Sequence, residues 1–164
     1  MIKPSTLQVR SAVSVLVLAA STLVGIAAHE GYKDDAYIPV PGDVPTIGFG
    51  STKGVKMGDK TTPVRSMMRL LDEIDSVYAQ GVRQCVTVPL YQHEFGAYVS
   101  LAYNIGVSAF CGSTLVKKLN SGDYDGACQE ISRWNKSGGK VYPGLEKRRA
   151  AEREICEGKR EPTR

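Results

Sequence analysis

The sequence has few of the residues that bind transition metals. It contains two histidines and four cysteines, and no two cysteines have the C-x-x-C spacing that is typical of zinc ligands. We therefore expect no metal site and no other cofactor. The even number of cysteines indicates two disulfide bonds instead, provided that the chain is exported to an oxidising compartment. The cysteines are Cys85, Cys111, Cys128 and Cys156.

Charged residues are absent from residues 11–28. Lys3 and Arg10 precede this apolar run, and no acid stands before it. Positive charge followed by an apolar run is typical of an export signal, and it leaves the rest of the chain outside the cytoplasm. The run is just long enough to span a bilayer. Its many Ala, Ser, Thr and Gly residues bury little apolar surface, so it would be a weak anchor.

Three interpretations of this run compete. It could be a buried core helix, or a cleaved signal peptide with Gly25-Ile-Ala27 as the cleavage site, or an uncleaved signal-anchor. We favour the uncleaved anchor, because cleavage after Ala27 would leave Glu30 three residues from a frayed terminus. An acid that must be held firmly would be badly placed there.

The overall charge does not identify the class of binding partner. The net charge is +4 and the isoelectric point is near 8.9, which is only mildly basic. Such a surplus suits an anionic polymer such as a cell wall or a nucleic acid, but it is too small to decide between them. The 164 residues are enough for one domain with a substantial core.

A β-hairpin is predicted over residues 30–50. A short Tyr/Ile/Val run leads to the Pro-Gly-Asp turn at Asp43, and a second run ends at Gly48-Phe-Gly50. From Thr62-Pro63 onward, apolar residues at helical spacing and Gly-marked loops predict helices only, with Gly81 ending or loosening the first. The expected fold class is therefore α+β and mostly α-helical, with a small β-hairpin subdomain beside a helical lobe.

Glu30 is the candidate acid of this fold. It follows the apolar run and stands at the entrance of the hairpin, whose arms carry carboxylate and hydroxyl groups. An acid that faces a carboxylate and a hydroxyl across a cleft is what glycoside hydrolysis requires, with one carboxyl protonated and the other ionised. The competing interpretation is that Glu30 is an ordinary acid at a helix end.

Several short motifs, taken in their order and spacing, resemble the phage-type lysozymes of glycoside hydrolase family 24. They are Glu30-Gly31, Tyr37, Thr46-Ile-Gly-Phe-Gly50, Ala102-Tyr-Asn104-Ile-Gly106, Ser113-Thr-Leu115, Arg133-Trp134, Gly138-Gly-Lys140, Pro143-Gly-Leu145 and Arg148-Arg149. The resemblance covers roughly residues 29–157 and implies a phage-lysozyme-like fold. With the weak anchor, the chain resembles a signal-anchor-release endolysin. Such an enzyme hydrolyses the β-1,4 bonds between N-acetylmuramic acid and N-acetylglucosamine in peptidoglycan, which lyses the host and releases phage progeny.

The resemblance also implies roles for site residues. Glu30 would protonate the glycosidic oxygen, while Thr46 and a nearby Asp would hold the attacking water. In the family that Asp usually stands nine residues after the Glu, and this position is Pro39 here. A second departure is Ser51, because many relatives have a His there.

The missing carboxylate has several possible replacements. Asp43, three residues before Thr46, is our choice for the catalytic set. Asp35 and Asp34 on the first arm of the hairpin are the alternatives. Asp43 could equally be a plain turn residue of the Pro-Gly-Asp sequence.

We expect Cys85 to pair with Cys111, and Cys128 with Cys156. Each bond would close a loop of about 26 to 28 residues and stabilise the fold by roughly 3 kcal/mol. No cysteine lies in residues 1–30. A control switch that exchanges a disulfide with the anchor is therefore excluded.

The expected organisation has two parts. Residues 1–28 would form a signal-anchor segment that becomes a helix on release, and residues 29–164 the lysozyme catalytic domain. The protein would be exported through the host inner membrane, anchored by one span facing the periplasm, and then released there. Its partners would be the glycan strand of peptidoglycan and the inner membrane, with no nucleic acid, and it would be a monomer.

Two other functions remain open at this stage. A lytic transglycosylase would cut the same glycan with one Glu and no external water, and the lack of a carboxylate at Pro39 favours it. A membrane-tethered module that binds the cell wall without activity is the alternative from a different class.

Overall fold

A computed structural model describes residues 9–160, so Lys3 and the last four residues of the chain lie outside the described part. Within it the chain is mostly helical. Short 3-10 turns at Val13–Val15 and Ile131–Arg133 and a π-helical turn at Ile74–Ala79 complete the helical part. The helices are α1 (Ala20–Glu30), α2 (Pro63–Glu73), α3 (Gln80–Cys85), α4 (Gln92–Ile105), α5 (Val107–Cys111), α6 (Thr114–Asn120), α7 (Tyr124–Glu130) and α8 (Pro143–Cys156).

The predicted hairpin is confirmed. Strands β1 (Lys33–Tyr37) and β2 (Thr46–Gly48) pair antiparallel, with a register irregularity between the two ends of β1. The subdomain has a very small core of its own, formed by Ala36, Ile47 and Val55. Its position between α1 and α2 puts both strands next to the end of the helix that carries Glu30.

The predicted start of the first helix after the hairpin is also confirmed, but Gly81 does not end it. Thr62 caps α2 by accepting a hydrogen bond from the backbone of Arg65, and Pro63 follows as the first helical residue. The chain then continues through the π-helical turn into α3, and Gly81 lies inside α3. A Cβ at Gly81 would lie 2.5 Å from Cγ1 of Val107. This glycine therefore permits close packing of α3 against α5 rather than ending a helix.

A second, very short hairpin corrects the prediction that only helices follow the first one. Strands β3 (Lys136–Ser137) and β4 (Lys140–Val141) pair around Gly138-Gly139. Both glycines have positive φ, at 55° and 79°, as tight two-residue hairpin turns require. Two-residue strands are too short to show an alternation of apolar and polar residues, so the sequence pattern gave no sign of them.

The N-terminal residues pack into the core of the helical lobe. Their buried side chains belong to the same apolar cluster as those of α4, α6 and α7; they are Val13, Leu16, Leu23, Ile26 and Ala27. Helix α1 approaches α4 very closely, because a Cβ at Gly96 would meet Oγ1 of Thr22. No helix between residues 9 and 160 combines the length and apolarity that crossing a membrane requires.

Two disulfide bonds join the helical elements as expected. Cys85 at the end of α3 is bonded to Cys111 at the end of α5. Cys128 in α7 is bonded to Cys156 at the end of α8. The pairing and the α+β, mostly helical fold class are therefore both confirmed.

Candidate active site

Glu30 lies at the junction between the helical lobe and the hairpin. It is the last residue of α1, and its side chain is 25% exposed. Gly31 follows with φ of 70°, which ends the helix and turns the chain into β1. The buried residues Ile26 and Ala27 hold the preceding turn of α1 in the core. The carboxyl group is thus fixed by the helix yet still reachable from solvent.

Two distant parts of the chain approach the Glu30 carboxylate. Nη1 of Arg148 in α8 donates to Glu30 Oε1 at 3.3 Å. On the hairpin side, a Cβ at Gly50 would lie 3.8 Å from Glu30 Oε2 and 3.9 Å from the hydroxyl of Tyr103. A Cβ there would be in ordinary van der Waals contact with the carboxylate, and a longer side chain would cover it, so the glycine leaves this face open.

Two tyrosines form the wall beside Glu30. The rings of Tyr78 and Tyr103 meet edge to face, with centroids 5.0 Å apart. Burial raises the pKa of both hydroxyls, and the nearby carboxylates of Glu30 and Glu73 raise it further. Both phenols stay protonated at neutral pH and can donate hydrogen bonds. The sequence interpretation did not single out Tyr103, although it lies within the quoted Ala102-Tyr-Asn104 motif.

A buried polar network holds Arg148 in place. Glu152 Oε1 accepts from Arg148 Nε at 3.2 Å, from Arg149 Nη2 at 3.0 Å and from Ser100 Oγ at 2.7 Å. Arg149, which is 1% exposed, also donates to Asn104 Oδ1 at 3.0 Å. Burial raises the pKa of the Glu152 carboxyl, while the two guanidinium groups act in the opposite direction. These contacts leave Nη1 of Arg148 directed at Glu30.

Thr46 and Asp43 both contact Val44 at the tip of the hairpin. Thr46 begins β2, is 5% exposed, and donates from Oγ1 to the carbonyl of Val44 at 3.1 Å. Asp43 is exposed in the turn, and its Oδ1 accepts from the backbone N–H of Val44 at 2.8 Å. The Asp43 backbone N–H also donates to Val40 O at 3.0 Å. The contacts of Asp43 are therefore those of a turn residue, and its carboxylate is open to solvent.

The other acids of the hairpin have different surroundings. Asp35 forms an exposed ion pair with Lys60, with 2.9 Å between the charged atoms. Asp34 is exposed, and its backbone carbonyl accepts from the N–H of Thr61 at 2.9 Å. Pro39 lies exposed in the bend after β1 and offers no carboxylate.

Ser51 contacts Glu73, a carboxylate that the sequence interpretation missed. The Ser51 side chain is buried and donates from Oγ to Glu73 Oε2 at 3.4 Å. Glu73 ends α2 and is close enough to Tyr78 and Tyr103 to raise the pKa of both. Its place in the amphipathic α2 gave no signal, because acids on the polar face of a helix are common.

Comparison with known proteins adds four similarities. The sequence model of the family described as phage lysozyme matches residues 27–152. An endolysin of Acyrthosiphon pisum secondary endosymbiont phage 1 is 42% identical over 139 residues, which cover 82% of this chain and 94% of that protein. A SAR-endolysin of Pseudomonas phage phiKMV is 38% identical over 141 residues, covering 84% and 86%. The solved structure of an endolysin from Escherichia coli O157:H7 phage FAHEc1 is 33% identical, with a TM-score of 0.76 over 90% of this chain and 96% of that chain.

Proposed function

Because the chain belongs to the phage lysozyme family, we propose that it hydrolyses the β-1,4 bonds between N-acetylmuramic acid and N-acetylglucosamine, with Glu30 as the general acid. The protein is a lysozyme-type enzyme and a peptidoglycan-lysing endolysin. The finer assignments, which are the bond that is cut and the residues that cut it, are our proposals. The biological outcome would be lysis of the host cell and release of phage progeny.

The position of Glu30 is the observation that supports this reaction most strongly. Its carboxyl lies at the end of a helix with one buried face, accepts a hydrogen bond from Arg148 and faces the side-chain-free surface of Gly50. The absence of a side chain at Gly50 leaves room for a glycan strand on this face of the carboxylate. Glu30 would then protonate the oxygen of the leaving N-acetylglucosamine as the bond to C1 of N-acetylmuramic acid breaks. Water would attack C1 from the opposite face, which gives an inverting hydrolysis.

A lysis assay with two matched variants tests this role. Glu30→Gln keeps the shape of the side chain but removes its acidic proton, so we expect the rate to fall about 10²- to 10⁴-fold. Glu146→Gln makes the same chemical change at an exposed position of α8 and should lyse cells like the wild type. If Glu30→Gln kept half of the wild-type rate while folding normally, Glu30 would not be the general acid.

We assign the attacking water to Thr46 and Asp43. Both residues lie at the tip of the hairpin, where the exposed carboxylate of Asp43 can accept a proton from water. Asp43→Asn should lower the rate at least about tenfold, since a general base contributes a factor of this order or more. Asp35→Asn is the matched control and should cost much less. A larger loss of rate in Asp35→Asn than in Asp43→Asn would assign the general base to Asp35. Equal mild losses in both variants would indicate that Thr46 positions the water without either carboxylate.

A lytic transglycosylase is the second candidate, and the absence of a carboxylate at Pro39 favours it. That reaction needs one acid and no external water, so neither Asp43 nor Asp35 would matter. The two reactions leave different ends on the glycan. Hydrolysis leaves a reducing N-acetylmuramic acid, whereas the alternative leaves an anhydro sugar.

We further propose that residues 11–28 anchor the protein in the host inner membrane, facing the periplasm, before release. The uncharged run behind Arg10 and the similarity to a SAR-endolysin support this order of events. After release, the core of the helical lobe buries the side chains of Val13, Leu16 and Leu23. Since α1 ends at Glu30, the acid would reach the site only when α1 folds there.

Release can be tested without disturbing the folded core. Ser14 and Ala20 are exposed, so Ser14→Leu with Ala20→Leu raises apolarity and leaves the buried contacts intact. We expect this double variant to stay in the membrane fraction longer and to delay lysis, while Ser14→Gln with Ala20→Gln should shorten the delay. Thr22 is unsuitable for this purpose because it packs against Gly96. If both pairs lysed cells on the wild-type schedule, the anchor would not control release.

A further inference from the structure

A binding site for a guanidinium group lies on the helical lobe at the start of α4. The Glu94 carboxylate accepts two hydrogen bonds from the Arg10 guanidinium. Nη2 donates to Oε1 at 2.7 Å, and Nε donates to Oε2 at 3.1 Å. The guanidinium carbon also lies over two rings, 4.3 Å from the centroid of Tyr91 and 3.6 Å from that of Tyr124. The planar cation is therefore held by a carboxylate along its edge and by aromatic faces on its flanks.

The site is suited to a guanidinium in particular. With Arg10 in place, Glu94 is only 3% exposed, and it also accepts from the backbone N–H of Tyr91 at 2.7 Å, which caps α4. A buried carboxylate without a cation is costly, so this pocket needs a positive partner. Lysine could supply the charge, but it lacks the two-pronged edge and the flat face that the pocket contacts.

Further polar contacts hold the residues that follow Arg10. Ser11 and Leu90 exchange two backbone hydrogen bonds, each 2.8 Å long. Both Nε and Nη2 of Arg83 donate to the carbonyl of Leu16, at 3.1 and 2.9 Å, and Gln92 donates to the carbonyl of Val17 at 2.9 Å. Non-helical backbone of this kind would have no partner inside a lipid bilayer. The lobe supplies the partners instead.

We propose that Tyr91, Glu94 and Tyr124 form a docking site for the chain's own Arg10, and that its occupation holds the released N-terminal segment on the lobe. The proposal rests on the membrane-anchored stage of the proposed function. At that stage Arg10 lies on the cytoplasmic side of the bilayer and Glu94 on the periplasmic side, so the site is without its ligand. Arg10 then serves twice, first by orienting the anchor and later by docking.

The variant Arg10→Lys separates the two roles, because it keeps the positive charge that orients the anchor. In purified full-length protein we measure hydrogen exchange at the Ser11 amide, which donates to Leu90. We expect exchange about tenfold faster than in the wild type, the scale on which loss of a charge-assisted hydrogen bond shifts a local opening equilibrium. Arg153→Lys, which alters an arginine–carboxylate pair with Glu157 just past the end of α8, is the matched control. It should leave the Ser11 amide unchanged.

Unchanged exchange at the Ser11 amide in Arg10→Lys would overturn the proposal. Exchange that is accelerated equally at Ser11 and at buried amides of α4 such as Leu101 would also overturn it, because it would show general destabilisation. Glu94→Gln should produce the same local acceleration, and the double variant should add little to it.

In cells, Arg10→Lys should be exported normally but accumulate in the membrane fraction. If the wild type were never found in that fraction, the anchored stage would be wrong. The exchange result would still decide whether Arg10 holds the segment.

Discussion

The hairpin and the helical lobe meet at Glu30 but are stabilised in different ways. The hairpin has a small core of only three described side chains, and its ion pair between Asp35 and Lys60 is exposed to water, with 60% and 79% of the side chains accessible. In the lobe, Arg149 and Glu152 are almost fully buried and hydrogen-bonded to each other. Removing one partner of such a pair is therefore expected to cost little in the hairpin and much in the lobe, where the remaining charge would be left buried and unpaired. The lobe fixes the acid, and the hairpin supplies the surface opposite it.

The largest expected effect comes from breaking the buried network. Glu152→Ala leaves Arg148 and Arg149 without their carboxylate, so we expect the free energy of unfolding to fall by about 3 to 5 kcal/mol. Equilibrium unfolding in denaturant measures this change. Glu154→Ala removes the exposed partner of Arg160 on the same helix and should change stability by at most about 0.5 kcal/mol. Similar losses in the two variants would show that burial does not distinguish them.

A smaller effect is expected where α1 docks on the lobe. Gly96→Ala places a methyl group against Oγ1 of Thr22, so α1 must shift, at a cost of about 1 to 3 kcal/mol. Because α1 carries Glu30, the lysis rate should fall even at temperatures where the variant is folded. Adding Thr22→Ala should restore part of the loss. Gly144→Ala, which meets open space in α8, should be neutral in both unfolding and lysis assays.

Breaking the exposed ion pair of the hairpin should have a smaller effect than Glu152→Ala or Gly96→Ala. Asp35→Asn removes an exposed pair with Lys60, and we expect a change of less than about 1 kcal/mol in the free energy of unfolding. High salt should reduce even this difference, because exposed charges are screened. A loss as large as that of Glu152→Ala would remove the contrast between the two regions.

The smallest expected effect concerns pH and His29. Burial lowers the pKa of His29, and the charges of Arg148, Arg149 and Arg160 lower it further. Since the folded-state pKa lies below the unfolded value of about 6.5, the stabilisation is complete above pH 6.5 and is lost as the pH falls through the folded-state pKa. Between about pH 7 and 5 the wild type should lose more stability than His29→Gln. Parallel losses in thermal unfolding would contradict this.

Local signals in the sequence were sufficient for much of the fold. The turn residues around Asp43 predicted the first hairpin, and Thr62-Pro63 predicted the start of α2. Of the two alternatives for Gly81, that it ends a helix was wrong, because this glycine packs closely against Val107, which lies on another helix. The second hairpin was missed because its strands have only two residues each.

For the candidate site, the sequence singled out Glu30 but not the residues that contact it. Glu30 stood out because an acid between an apolar run and a glycine is unusual. Its contact with Arg148 joins residues 118 positions apart and depends on how α8 packs, so no local pattern reveals it. The same holds for the pocket that receives Arg10, whose partner Glu94 is 84 positions away.

The most direct test of the central claim, water-dependent cleavage of the glycan, is digestion of purified peptidoglycan in water enriched in heavy oxygen. Mass spectrometry of the new chain ends then shows where the solvent oxygen goes. We predict reducing N-acetylmuramic acid ends that carry one heavy oxygen, formed at similar rates by the wild type and Glu146→Gln and far more slowly by Glu30→Gln. Anhydro ends without heavy oxygen would contradict hydrolysis and identify the enzyme as a lytic transglycosylase.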